Sequence, residues 1–109
     1  MKLPSEVAIS TVTIGELRAG VLAAGDDATR IARLKTLEMA GRFESLNVDE
    51  PAAIAWSILR LHLNHAGRRA DVNDLWIAAT AMASGIPVCT QDDDFDPLAD
   101  VDGLTVIKV

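Results

Sequence analysis

Stretches with helical periodicity alternate with short β-branched apolar runs, and no hairpin signal joins one run to the next. These two observations predict an α/β fold with a short parallel sheet flanked by helices, because parallel neighbours need a helical crossover between them. The size of the chain agrees. Its 109 residues, 50% of them apolar, suffice for one core, so residues 1–109 are expected to form a single domain.

The elements follow in order. Val7-Ala8-Ile9 is a buried strand. Ser10 or Thr13 caps the helix after it, and Thr13-Ile-Gly-Glu16 has the form of a capping box. Ile14, Leu17, Val21 and Leu22 repeat behind it at helical spacing. Gly25-Asp26-Asp27 stops that helix and starts a second, lined by Ile31, Leu34, Leu37 and Met39 and ended by Gly41. Phe43 to Val48 reads as a weak strand. Asp49-Glu50-Pro51 is a helix entrance, with an acidic first turn and proline near its start.

Ile54, Ile58 and Leu61, with Trp56, Leu59 and Leu63, make a broad apolar stripe on the third helix. A loop from Ala66 to Ala70 leads to a fourth helix, capped by Asp71 or Asn73 and carrying Val72, Leu75, Trp76, Ala79 and Met82. Trp56 and Trp76 read as core anchors rather than base-stacking platforms. Gly85 ends the fourth helix, Ile86 to Thr90 is a strand, an acidic loop follows, and Leu104 to Val109 is the last strand. Cys89, the single cysteine, reads as a small buried hydrophobe and has no internal disulfide partner.

No apolar run is long enough to span a bilayer, and Met1 to Glu6 lacks a signal-peptide core, so a cytoplasmic location without a membrane partner is expected. The net charge of −6 disfavours non-specific nucleic-acid binding, which needs Lys and Arg against phosphates. It does not exclude a nuclease, whose cation pocket is acidic by necessity. Arg30, Arg33, Arg42, Arg60, Arg68 and Arg69 remain available for local basic patches.

Glu16, Asp74 and Asp92 to Asp94 each stand where a strand hands over to a helix or loop. Ligands of open α/β sheets collect at the carboxyl ends of strands, and right-handed crossovers bring all three to the same edge. Carboxylates gathered from separate segments form a hard-cation site suited to phosphodiester chemistry. Each acid also has a plain structural account: a capping box for Glu16, a helix dipole for Asp74, a solvated loop for the Asp92 to Asp102 crowd.

Two competing motifs fail. Asp92-x-Asp94-x-Asp96 opens like a calcium loop, yet Pro97 stands where glycine is required and Gly103 where the bidentate glutamate belongs. Arg60 and His65 are spaced like the pair of a HEPN-type ribonuclease, but that domain is all-helical.

With these motifs in view, the chain resembles the PIN-domain ribonucleases, specifically VapC-type toxins of toxin–antitoxin pairs. The resemblance rests on Ile9-Ser10-x-x-Thr13-x-x-Glu16-Leu17-x-x-Gly20, Asp74-Leu-Trp-Ile-Ala-Ala-Thr-Ala81 and Val88-x-Thr90-x-Asp92-x-Asp94-Phe95. It implies a PIN-like three-layer fold and an Mg²⁺- or Mn²⁺-dependent endoribonuclease. Glu16, Asp74 and Asp92 take the catalytic metal-ligand positions, Asp94 is an accessory ligand, and Asn73 and Thr90 orient the carboxylates. It further implies a VapB-type antitoxin as partner, lying in a groove around Leu17 to Leu37, and RNA as substrate.

The family's first strand and its Asp have no counterpart here, so the resemblance implies a truncated domain, a misplaced start or a degenerate copy. Unpaired strand edges would then favour a homodimer or higher oligomer. Two alternatives to the enzyme stay open: a catalytically impaired antitoxin-binding module, and an acidic structural protein with no site.

Overall fold

The computed structural model describes residues 8–90 and 93–108. Its elements run β1 (Ala8–Ser10), α1 (Thr11–Ala23), α2 (Asp27–Ala40), β2 (Glu44–Leu46), α3 (Glu50–Ala66), α4 (Val72–Ser84), β3 (Val88–Thr90), a 3₁₀ turn (Asp96–Leu98) and β4 (Val106–Lys108). The helix–strand alternation is as expected, and every strand pairing is parallel. Among the described residues the strands bond as two separate pairs, β1 with β2 and β3 with β4. Helix α4 packs against β1, β2 and β3 and so underlies both pairs.

Most helix ends are dictated locally. Asp26, Asp49 and Asp71 each cap the helix that follows by accepting backbone N–H groups of its first turn. Helices α3 and α4 stop at Gly67 and Gly85, whose φ values of 65° and 67° lie in the left-handed region that other residues avoid. At α1 the choice between Ser10 and Thr13 falls to Ser10, whose Oγ accepts from Val12 N at 3.1 Å. The helix therefore begins one turn earlier than a Thr13 cap requires. The Thr13–Glu16 capping box does not form, and Glu16 lies in the second turn.

The core sits between α3 and α4 and under the segment after β3. Leu59, Leu63, Leu75, Ala78, Phe95, Leu98 and Leu104 belong to one buried cluster. Trp56 and Trp76 stack at its edge, with ring centroids 5.2 Å apart, which places them in packing as expected. The broad stripe on α3 splits: its Leu59 and Leu63 side is fully covered, whereas Ile54, Ile58 and Leu61 are exposed. Helix α2 packs chiefly on α1, and Ile31, Leu34 and Met39 on its apolar face also lie open. Cys89 is exposed, against its expected burial. It faces the opposite side of β3 from the buried Val88 and Thr90, as strand alternation demands.

Arginines join α1 to α2. Arg33 Nη1 donates to Gly20 O at 2.6 Å, and Arg30 Nη2 donates to Ala24 O at 2.8 Å. These two side chains satisfy carbonyls at the end of α1, so they contribute to the fold rather than to a basic patch.

The contrast along α3 makes a stability prediction. Leu59→Ala opens a void in a sealed layer and should cost about 2–5 kcal/mol, whereas Leu61→Ala, two residues on, should change stability by less than about 1 kcal/mol. Urea unfolding followed by circular dichroism measures both. Equal losses would contradict the packing described.

Candidate metal centre

The residues that follow the carboxyl ends of β1 and β3 line the same surface depression as the start of α4. This open pocket of about 540 Å³ is bounded by Glu16, Asp71, Asp74, Asp93 and Asp94, with Arg69, Ala70 and Pro97 completing the wall. Glu16 arrives from α1. Because Ser10 serves as the cap, the Glu16 carboxylate is not drawn back to the backbone, and it accepts from Asn73 Nδ2 at 3.5 Å. Asp74 lies in the first turn of α4, where the helix dipole favours negative charge. Capping there falls to Asp71, whose Oδ1 accepts from Asn73 N at 2.9 Å and from Asp74 N at 3.4 Å. Asp74 is half-buried, and Glu16, Asp93 and Asp94 are exposed.

Asp92 lies outside the described residues. Thr90 is buried at the end of β3. Asp71, Asp93 and Arg69 are lining residues that the motifs did not single out. Their signal was positional: Asp71 and Arg69 precede Asp74 in one tight loop, and Asp93 stands next to Asp94.

The acidic loop is more structured than a solvated crowd. The parallel register sets Thr90 opposite Lys108. That places the Lys108 ammonium on Asp93, and on Asp96 Oδ1 at 2.9 Å. The hydrogen bond to Asp93, then that to Asp96, holds the Lys108 pKa well above its usual value. Asp96 opens the 3₁₀ turn and pairs with this lysine, so it is not presented as a calcium-loop ligand. Asp100 accepts from His62 Nε2 and from Arg68 Nη1, both at 3.0 Å, and links the loop to α3. His62 is thereby tied into a structural contact, and the α/β architecture excludes the all-helical ribonuclease that Arg60 and His65 imitate.

The donor set of the depression is oxygen throughout, the chemistry of a hard divalent cation rather than a soft one. Among the described residues, no three His, Cys, Asp or Glu side chains are gathered tightly enough to hold a bare ion.

Residues 1–101 match the PIN domain. This chain belongs to the PIN-domain family, on its VapC ribonuclease branch. It is 49% identical over 107 residues to Ribonuclease VapC5 of Mycobacterium tuberculosis, covering 98% of this chain and 79% of that protein. It is 46% identical over 101 residues to Ribonuclease VapC4 of the same organism, covering 93% and 78%. The crystal structure of VapBC-5 from M. tuberculosis, a member of the VapBC family of toxin–antitoxin systems, superposes with a TM-score of 0.95 at 48% identity. That match covers 98% of this chain and 85% of that one.

The Asp100 contacts yield a pH prediction. The His62 hydrogen bond, with a smaller contribution from Arg68, lowers the Asp100 pKa below 3.8. A depressed carboxylate stabilises the fold above its unfolded pKa, and that contribution is lost as pH falls through the folded value. His62→Phe should raise the Asp100 pKa toward 3.8, read by carboxyl ¹³C NMR titration. An unchanged midpoint would show that His62 does not hold this carboxylate.

Proposed function

We propose that this chain cuts RNA with a hydrated Mg²⁺ or Mn²⁺ held by Glu16, Asp74, Asp94 and, by its place in the motif, Asp92. The observation that supports this is the common lining of one depression by Glu16, Asp74 and Asp94, which come from three separate segments. The cation, when bound, activates water and offsets charge on the leaving oxygen. The chain's own residues prepare the place for it. The start of α4 stabilises the Asp74 carboxylate, Asn73 orients Glu16, Thr90, buried at the end of β3, is assigned to orient the carboxylates, and Lys108 moderates the repulsion of Asp93 against its neighbours.

Total RNA should be fragmented in Mg²⁺, left intact in EDTA, and fragmented again when Mn²⁺ is supplied in excess. Asp74→Asn should lower the rate by more than about a hundredfold. Asn73→Ala should lower it by about ten- to a hundredfold, the range for partners of a metal ligand. Cleavage that persists in EDTA and in Asp74→Asn removes the metal from the account.

The openness of the carboxylate spacing favours one second reading, a chain that binds antitoxin without cutting. Calorimetric silence toward Mg²⁺ together with intact antitoxin binding would support it. The partner itself is proposed from the VapBC-5 system. The cleft between α1 and α2, lined by Leu17, Gly20, Arg33 and Thr36, is the proposed seat for a helix of a VapB-type antitoxin. We place this pair in the cytoplasm; no helix among the described residues is long and apolar enough to cross a membrane.

Ile54, Ile58 and Leu61 on α3, each about half exposed, make an apolar row that favours self-association. Sedimentation velocity of the isolated chain should show a dimer or higher species. A well-dispersed monomer at micromolar concentration counts against it.

A further inference from the structure

Beside the acidic depression lies a concavity of opposite sign. It is an open cleft of about 580 Å³ over the end of α3 and the α3–α4 loop, lined by Arg60, Asn64, Gly67, Arg68, Arg69 and Ala70. Arg69 and Ala70 also line the acidic depression, so the two share a wall. On a chain of net charge −6, three arginines around one cleft are a local reversal of sign.

The fold does not account for all of them. Arg68 donates to Asp100 at 3.0 Å and to Pro97 O at 3.4 Å, which fixes the loop. Among the described residues, neither Arg60 nor Arg69 makes an ion pair. Cations after a helix offset its dipole, and that explains the positions of Arg68 and Arg69. It does not explain Arg60, which lies more than a turn before α3 ends and lines the same cleft.

We propose that the Arg60–Arg68–Arg69 cleft binds RNA backbone phosphate next to the one held at the acids. The inference rests on the ribonuclease reading above. An RNA strand carries a phosphate at every nucleotide, so a strand with one phosphate at the carboxylates lays its neighbours across the shared wall. A guanidinium meets phosphate with two parallel N–H bonds, which orients the phosphate group as well as holding it. Arg69, in the wall itself, offsets the repulsion between incoming phosphate and the carboxylates. Arg68, already held by Asp100, sets the position of the loop that carries Arg69.

Binding tests the cleft without relying on cleavage. The probe is a short mixed-sequence single-stranded RNA with a 5′-fluorescein, followed by anisotropy in EDTA between about 50 and 200 mM salt. Arg60→Ala/Arg69→Ala should weaken binding about tenfold and reduce the salt slope by roughly 1.4, about 0.7 for each phosphate contact on a single strand. Arg60→Lys/Arg69→Lys should recover most of the slope and only part of the affinity, because an ammonium lacks the planar fork. Arg42→Ala removes one positive charge, half the change of the double variant, from a residue that lines neither concavity, and should leave affinity within twofold.

Wild-type affinity and slope in the double Ala variant overturn the proposal. So does an equal loss in Arg42→Ala, or a wild-type chain that does not bind this RNA. Steady-state cleavage separates the two readings. A chain that binds through these arginines yet does not cut removes the nuclease and keeps the cleft. A chain that cuts while the double Ala variant retains its KM removes the cleft and keeps the nuclease.

Discussion

The packing of α3 against α4 is the constraint on which the rest depends. Leu59 and Leu63 on one helix and Leu75 and Ala78 on the other are sealed from solvent. Interior packing of this density leaves little room for one helix to slide past the other. Helix α4 in turn underlies both strand pairs and touches α1. Its first turn carries Asp74, and the loop before it carries Arg69 and Asp71. A shift of α4 would therefore move the acids relative to Glu16 and move the arginine cleft relative to the acids. The segment after β3 is held to the same pair by Phe95 and Leu98, so Asp93 and Asp94 are positioned from a buried anchor rather than by an unsupported loop.

The caps then decide which acids remain for chemistry. A carboxylate at a helix start can serve the backbone or serve a ligand, and the chain divides these duties between neighbours. Asp71 accepts the N–H groups of α4 while Asp74, three residues on, lines the depression. At α1 the hydroxyl of Ser10 takes the cap, and Glu16 is carried a turn further in. The pattern Thr13-x-x-Glu16 is thus a capping box in sequence only. The earlier cap wins because the chain turns helical directly at the end of β1, and the Ser10 side chain is then already beside Val12 N.

How much was legible follows from the range of each interaction. Helix starts at Asp26, Asp49 and Asp71 and stops at Gly67 and Gly85 are local events, and short patterns reported them. Burial is not local. A helix as apolar as α3 presents two candidate faces, and only the placement of α4 decides that Leu59 is covered and Ile58 is not. Cys89 follows the same logic, since a three-residue strand can expose its middle residue. For the site, the strand-to-helix junctions pointed to Glu16, Asp74 and the run Asp92 to Asp94, with Asp92 as the principal acid; Glu16, Asp74 and Asp94 line the depression, and Asp92 lies outside the described residues. Asp93 was obscured by a run of identical neighbours, and Lys108 by its distance in sequence. Their link rests on the β3–β4 register, which no single-segment pattern contains.

Charge is the last part of the arrangement. Five carboxylates around one depression repel one another, and the fold answers with short-range compensation: the dipole of α4, the Asn73 amide on Glu16, and the Lys108 ammonium on Asp93. Arg69 is the cation among the described lining residues, and a bound ligand can lower the mutual repulsion of the carboxylates further. A divalent cation does so from inside. A polyanionic substrate makes matters worse unless positive charge stands at the rim, and beyond about 8–10 Å such charge is screened in physiological salt. Arg69 stands at that rim, in the wall between the acids and the other arginines. An acidic protein can therefore attract RNA where it matters while its overall sign discourages indiscriminate binding elsewhere.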